Sequence, residues 1–248
     1  MVASFGLLTG RLSSLLALLL TVPSAALAAP AVATSATVQQ ILDGKELYID
    51  ARQAVVQQKA SAPQDISTGQ SRGQLAFTSG AVGRLNRHSQ LQLGDSCFLL
   101  SKGQILVSGA QSGCTRSSRL SVRGTNYLLE VNDNQEAELS VLEGSVEVET
   151  LQNGEPTGAA PTRVEAGQKL RLSPQGVILT LLKLSSGDYT GILNGPLFEG
   201  FSIPLPAMGA LDSYIRANVP GVSIPGMPGI PGIPSAPSVP SFGLPRFF

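Results

Sequence analysis

The sequence has no Trp, one His and two Cys, and charged residues fill only 14% of its 248 positions. Each scarcity excludes something. His88 stands alone in a polar turn-like stretch, Asn86-Arg87-His88-Ser89, with no second His and no nearby carboxylate pair, so it reads as a surface residue rather than a base or ligand. Two Cys without a His or acidic cluster cannot complete a zinc shell. The absence of Trp weakens a sugar-stacking reading. The 17 basic and 17 acidic residues cancel, which argues against coating nucleic acid or an anionic membrane by bulk charge. The chain carries no G-x-S-x-G, H-E-x-x-H, P-loop or G-x-G-x-x-G pattern. Carboxylates are paired only as Glu136/Glu138 and Glu147/Glu149, where strand alternation puts each pair on a solvated face, apart from any glycosidase geometry. No catalytic, metal or cofactor-binding residue is assigned, and a non-enzymatic protein is expected.

What is present is 42% hydrophobic residues, enough for a core, together with 27 Gly and 17 Pro. That mixture favours β-structure with many turns. At the N-terminus, Arg11 is the only charge ahead of the apolar run Leu12–Val22, and Pro23-Ser24 breaks that run before Ala26-Leu27-Ala28. This is the pattern of a signal peptide over residues 1–28, cut after Ala28 or, as the close alternative, Ala29. The competing reading is an uncleaved membrane anchor. No Cys lies near the cut, so a lipoprotein anchor is not supported. Cleavage implies an exported, extracytoplasmic protein (periplasmic or secreted) with no transmembrane span after processing. In an oxidising compartment Cys97 and Cys114 are expected to pair, adding about 3 kcal/mol in the chain-entropy model.

Residues 29–37 are small and apolar and read as a leader. From 38 to 183, short alternating or β-branched segments are separated by Gly-rich, Asn-rich or Pro-containing breaks every few residues, with no long helical pattern. The expectation is an all-β single domain of short antiparallel strands, solenoid- or sandwich-like. Within it, Glu143-Gly144 reads as a two-residue hairpin connection, with Leu142, Val146 and Val148 on one apolar face. Residues 184–219 read as irregular apart from one short amphipathic C-terminal helix carrying Met208, Leu211, Ile215 and Val219. Residues 220–248 form a Pro/Gly-rich tail in which a Pro recurs every few residues, so an extended, disordered segment is expected.

Several of these segments together resemble a known family. Val122-Arg123-Gly124-Thr125, Ser140 through Val148 with Leu142-Glu143-Gly144 at its centre, and Glu165-Ala166-Gly167-Gln168 occur in the order and spacing of the periplasmic domain of the FecR family. Upstream, Gly69-Gln70-Ser71-Arg72, Gln74-Leu75-Ala76-Phe77 and Ala81-Val82-Gly83-Arg84-Leu85 are similar to that family's earlier strand pair. The resemblance spans about residues 40–175 and implies a β-rich module outside the cytoplasmic membrane. It also implies that Arg123, Gly124, Thr125, Leu142, Glu143, Gly144 and Gly167 are architectural marks of the fold. In the best-known members such a domain takes a signal from an outer-membrane iron-siderophore transporter to a cytoplasmic sigma-factor-regulating domain. Here only about ten residues precede the apolar N-terminal run, so the chain looks more like the secreted stand-alone variants, such as those in cyanobacteria.

The expected function is therefore non-enzymatic, signal-related recognition of a protein or ligand in the cell envelope, with an envelope protein as partner. The alternative is a structural envelope protein tethered by its Pro-rich tail. Charge is unevenly distributed: Arg72, Arg84, Arg87, Lys102, Arg116, Arg119 and Arg123 are opposed only by Asp95, whereas Glu130 through Glu155 holds eight acids and no base. Halves packed side by side would neutralise each other across adjacent strands, and an elongated domain would expose two zones.

Overall fold

The alternation in the sequence is carried by short strands in the computed structural model, which describes residues 34–225. In chain order the first are β1 (Ser35–Leu42), β2 (Leu47–Ile49), β3 (Arg52–Gln53), β4 (Lys59–Ser61), β5 (Asp65–Thr68), β6 (Arg72–Phe77), β7 (Val82–Leu85), β8 (Gln90–Leu93) and β9 (Phe98–Gly109). There follow β10 (Gly113–Cys114), β11 (Ser118–Val122), β12 (Thr125–Val131), β13 (Ala137–Glu143), β14 (Ser145–Gln152), β15 (Glu155–Pro156), β16 (Thr162–Glu165), β17 (Gln168–Leu172) and β18 (Ile178–Lys183). Two helices close the described chain, α1 (Ser186–Leu193) and α2 (Met208–Asn218). The expected signal peptide with its cut at Ala28, and the tail from residue 226 onward, lie outside the described residues.

Pairing builds two sheets. One runs β4-β1-β6-β7-β9-β12-β13-β17-β18. The other runs β3-β2-β5-β8-β9-β10-β11-β14-β16. All these pairs are antiparallel except β9 with β10. Strand β9 belongs to both sheets: Phe98–Lys102 pairs with β8, and Gly103–Gly109 pairs with β12. Gly103 sits at the crossing with φ +85°, and a Cβ there would lie 2.6 Å from Ser89 Cα. Only Gly fits both the backbone and the space.

The facing sides of the sheets share one core, in which Leu75, Leu85, Ile105, Leu139 and Leu170 from the first sheet meet Ile66, Leu91, Leu120, Val146 and Val164 from the second. This is a sandwich, the second of the two architectures the sequence left open. Cys97 and Cys114 form a disulfide with Cα atoms 5.9 Å apart, tying the start of β9 to β10. The opposed charge zones lie side by side, as Arg119 pairs with Glu149 at 3.6 Å and Lys102 with Asp133 at 2.7 Å.

Three expectations are corrected. Glu143-Gly144 is a corner between the sheets rather than a hairpin: β13 pairs with β12 and β17, whereas β14 pairs with β11 and β16. Consequently Leu142 faces away from Val146 and Val148 and joins a second apolar cluster. The leader assigned to 29–37 already contains the start of β1 at Ser35. The 184–219 segment contains two helices, and its cluster of Tyr189, Leu193, Leu197, Leu205, Leu211 and Ile215 covers the outer face of the first sheet over Val82, Leu106 and Leu142. Ile224, placed in the expected tail, is buried in that same cluster.

Candidate functional site

Of the residues that carry the FecR resemblance, Thr125, Leu142, Glu143, Gly144 and Gly167 lie where the sandwich meets its C-terminal cover. Gly124 turns β11 into β12 with φ +54°, and Thr125 is fully buried. Gly144, with φ +84°, lies against the Thr125 side chain, leaving 3.1 Å between a built Cβ and Thr125 Cβ. Glu143 accepts from Asn126 Nδ2 at 2.9 Å, and the same amide donates to the Ala207 carbonyl at 3.1 Å. Tyr189 Oη donates to the Leu142 carbonyl at 2.9 Å, and a Cβ on Gly167 would sit 2.7 Å from Tyr214 Oη. Arg123 is exposed at the turn. These residues shape the fold and dock the helices without converging on a cavity. His88 is an exposed turn residue with φ +54°.

The concave site lies elsewhere, where β7 meets the loop between the helices. Alternation along β7 sends Gly83 and Leu85 inward and Val82 and Arg84 outward, under the C-terminal cover. Arg84 is 4% exposed. Its Nε donates to Gln74 Oε1 at 2.8 Å, Nη1 to the Leu197 carbonyl at 3.0 Å and Nη2 to the Ile203 carbonyl at 2.9 Å. Phe201 stacks on the guanidinium, with its centroid 4.4 Å from Cζ. Every one of these partners is uncharged. Burial lowers the Arg84 pKa to about 10, so the cation persists at neutral pH.

Arg72, on the neighbouring strand β6 two residues from the Gln74 that stands opposite Arg84, is different. It forms a bidentate pair with Asp43, Nε to Oδ2 at 2.6 Å and Nη2 to Oδ1 at 3.0 Å, and its Nη1 donates to the Pro196 and Glu199 carbonyls. The Arg72 hydrogen bond holds the Asp43 carboxyl below the ordinary carboxylate value, assisted by the charge of Arg87 at 2.6 Å. The two arginines thus clamp residues 196–203 onto the sheet, and Arg72 also approaches the Phe201 ring at 5.6 Å.

Beside Arg84 opens a cleft of about 560 Å³ between this loop, α1, the start of α2 and Ile224-Pro225. Its apolar wall includes Phe198, Leu205, Met208 and Ile224, with Asn194 and Ser202 as neutral polar groups and Glu199 as its one carboxylate. The volume is in the range of small-ligand sites, and the pattern of an apolar wall with few polar groups matches them. Sequence reasoning placed Arg84 in a family motif and in a basic zone, and missed its burial. The alternation of Val82 and Arg84 against Gly83 and Leu85 was the available signal. Among the described residues no group of three His, Cys, Asp or Glu side chains is placed to hold a metal ion, and no helix is long and apolar enough to cross a membrane.

No family model and no curated protein matches this sequence. Among solved structures, two crystal structures of a candidate anti-sigma factor from Parabacteroides distasonis are similar to it in part, each with 17% identity, a TM-score of 0.39 and 48% of this chain covered. The match spans 59% of the length of that protein.

Proposed function

We propose that this protein is a non-enzymatic, extracytoplasmic recognition module that binds an amphiphilic monoanion in the Arg84 cleft. The observation that carries the reading is a buried guanidinium with only neutral partners at the wall of an apolar cleft. A buried cation whose hydrogen-bond partners are all dipoles is incompletely compensated, and an anionic group reaching it gains a charge-assisted hydrogen bond. The apolar body of such a ligand lies against Phe198, Leu205, Met208 and Ile224. The resemblance to FecR periplasmic domains supports an envelope location and a role in handing a signal to an envelope protein. The arrangement links the two events through Phe198, which would touch the ligand and belongs to the loop that Arg72 and Arg84 hold on the sheet.

Calorimetric titration of the chain with dodecanoate, dodecanol and dodecyltrimethylammonium tests this. The carboxylate is expected to bind about tenfold more tightly than the alcohol, the worth of one charge-assisted contact, and the cation least. Equal affinities for all three, or no binding, contradict the proposal. One observation favours the structural alternative: Ile224, at the base of the Pro/Gly-rich tail, is buried in the cluster and fixes where that tail leaves the domain. If the carboxylate fails to bind while deletion of residues 226–248 releases the chain from an envelope fraction, the tethering role is preferred.

A further inference from the structure

Strand β18, Ile178-Leu179-Thr180-Leu181-Leu182-Lys183, is the last strand of the first sheet and, among the described residues, pairs only with β17. It is apolar on both faces and exposed on both: Leu179 is 47% exposed, Leu181 43% and Leu182 54%. The backbone ladder settles which groups it offers. Leu184 N–H donates to the Gly167 carbonyl at 2.7 Å, so Leu184, Leu182 and Thr180 turn their backbone groups toward β17. Leu181 and Lys183 therefore point N–H and C=O away from the sheet. Leu181 stands opposite Leu170, on the core-facing side, so its side chain continues the buried row of Leu139 and Leu170 past the end of the sandwich. The register with β17 shifts between Arg171 and Leu172, leaving Leu179 as a bulge, so the regular open edge is Thr180–Lys183. An exposed apolar edge of this kind is normally charged or covered.

We propose that β18 is covered by β18 of a second copy of this chain, joined antiparallel about a two-fold axis at Leu181. Three observations select this occupant. The chain's own Pro-rich end is unsuited, because from Pro220 onward no more than four consecutive residues are free of Pro, and Pro cannot donate to a ladder. The opposite edge of the sheet is β4, three residues with Lys59 and Ser61 exposed, so head-to-tail growth from β18 onto β4 lacks a matching partner. The edge is also self-complementary. Centred on Leu181, the pairing sets Leu181 against Leu181 and Lys183 opposite the bulged Leu179 of the second copy. It places the two copies of Lys183, the only charge on the strand, four residues apart along the ladder. That spacing is about 13 Å, beyond the Debye length of about 8 Å at physiological ionic strength. An isologous contact of this kind closes after two copies. The strand shares no residue with the Arg84 cleft, so this inference stands or falls independently of the proposed ligand.

The test uses the full-length chain from an exporting host, in sedimentation equilibrium over a concentration series, with the variants Leu181→Lys and Leu181→Glu. Position 181 is partly exposed, so both variants keep the fold, which retention of the disulfide and the far-UV spectrum verifies. The parent chain is expected to sediment at twice the mass of the exported monomer, measured on the same sample by mass spectrometry. Each variant places like charges face to face across the axis and weakens the dimer by about tenfold or more. An equimolar mixture of the two restores the dimer, because the axis now joins Lys to Glu. A parent chain that stays monomeric, variants that dimerise as the parent does, or a mixture that fails to recover overturns the proposal. A monomeric parent that binds an extended apolar peptide at this edge overturns it in favour of a foreign strand.

Discussion

Arg84 of β7 and Phe201 of the interhelical loop meet face to face, the guanidinium carbon 4.4 Å from the ring centroid, and together they join the sandwich to its C-terminal cover. A desolvated cation–aromatic contact is worth up to about 2 kcal/mol. The same guanidinium donates to two loop carbonyls, those of Leu197 and Ile203. Replacing Arg84 with Met should therefore cost about 2 kcal/mol or more in urea unfolding. It should also raise amide hydrogen exchange selectively across residues 196–205. Unchanged exchange there would show that the loop is held by its apolar contacts alone. Arg84→Lys should recover little, because an ammonium cannot reach Gln74, Leu197 and Ile203 in one plane.

Gly103 carries a separate expectation. A Cβ at φ +85° would be strained and would press into Ser89, on the strand step where β9 changes sheets. Gly103→Ala should lower stability by about 2–4 kcal/mol, read as the urea midpoint with an unchanged slope. A change under about 0.5 kcal/mol would mean the crossing relaxes freely.

The Asp43 cluster predicts the acid response. Its carboxyl titrates below the ordinary value of 3.8 because Arg72 and Arg87 favour the charged form. A depressed folded-state pKa contributes stability that is complete well above 3.8 and is lost as the pH falls below it. Melting temperature followed against pH should fall less steeply below pH 4 in Asp43→Asn than in the parent. Parallel profiles would remove Asp43 from the account.

Reduction of the Cys97–Cys114 bridge should destabilise the chain by about 3 kcal/mol, because it closes a loop of 17 positions. A Cys97→Ser, Cys114→Ser double variant compared with the parent in denaturant checks this. A difference below about 1 kcal/mol would indicate that β9 and β10 hold the loop without it.

How much of this was visible in the sequence depends on the range of the forces involved. Alternation in Gln90-Leu91-Gln92-Leu93 and in Val146-Glu147-Val148 marks strands because a pleat repeats every two residues. The α2 face of Leu211 and Ile215 was equally local. Helix α1 was hidden by Gly187 and Gly191, although Ser185 and Asp188 form a capping box that spacing alone could have revealed. The corner at Glu143-Gly144 was mistaken for a hairpin because a positive φ serves both, and only the partners of β13 and β14 distinguish them. The cleft was illegible for a stronger reason. Arg84 meets Leu197, Phe201 and Ile203 across more than a hundred residues, and nothing local says which face of β7 will be covered.

The most direct measurement follows the Arg84 Nε–Hε resonance while dodecanoate is added. A ligand at Arg84 shifts this resonance, with saturation at the calorimetric dissociation constant and loss of the shift in Met208→Trp, which fills the cleft wall. An Arg84 resonance that stays in place while dodecanoate binds, or a Met208→Trp variant that binds as tightly as the parent, would contradict binding at Arg84.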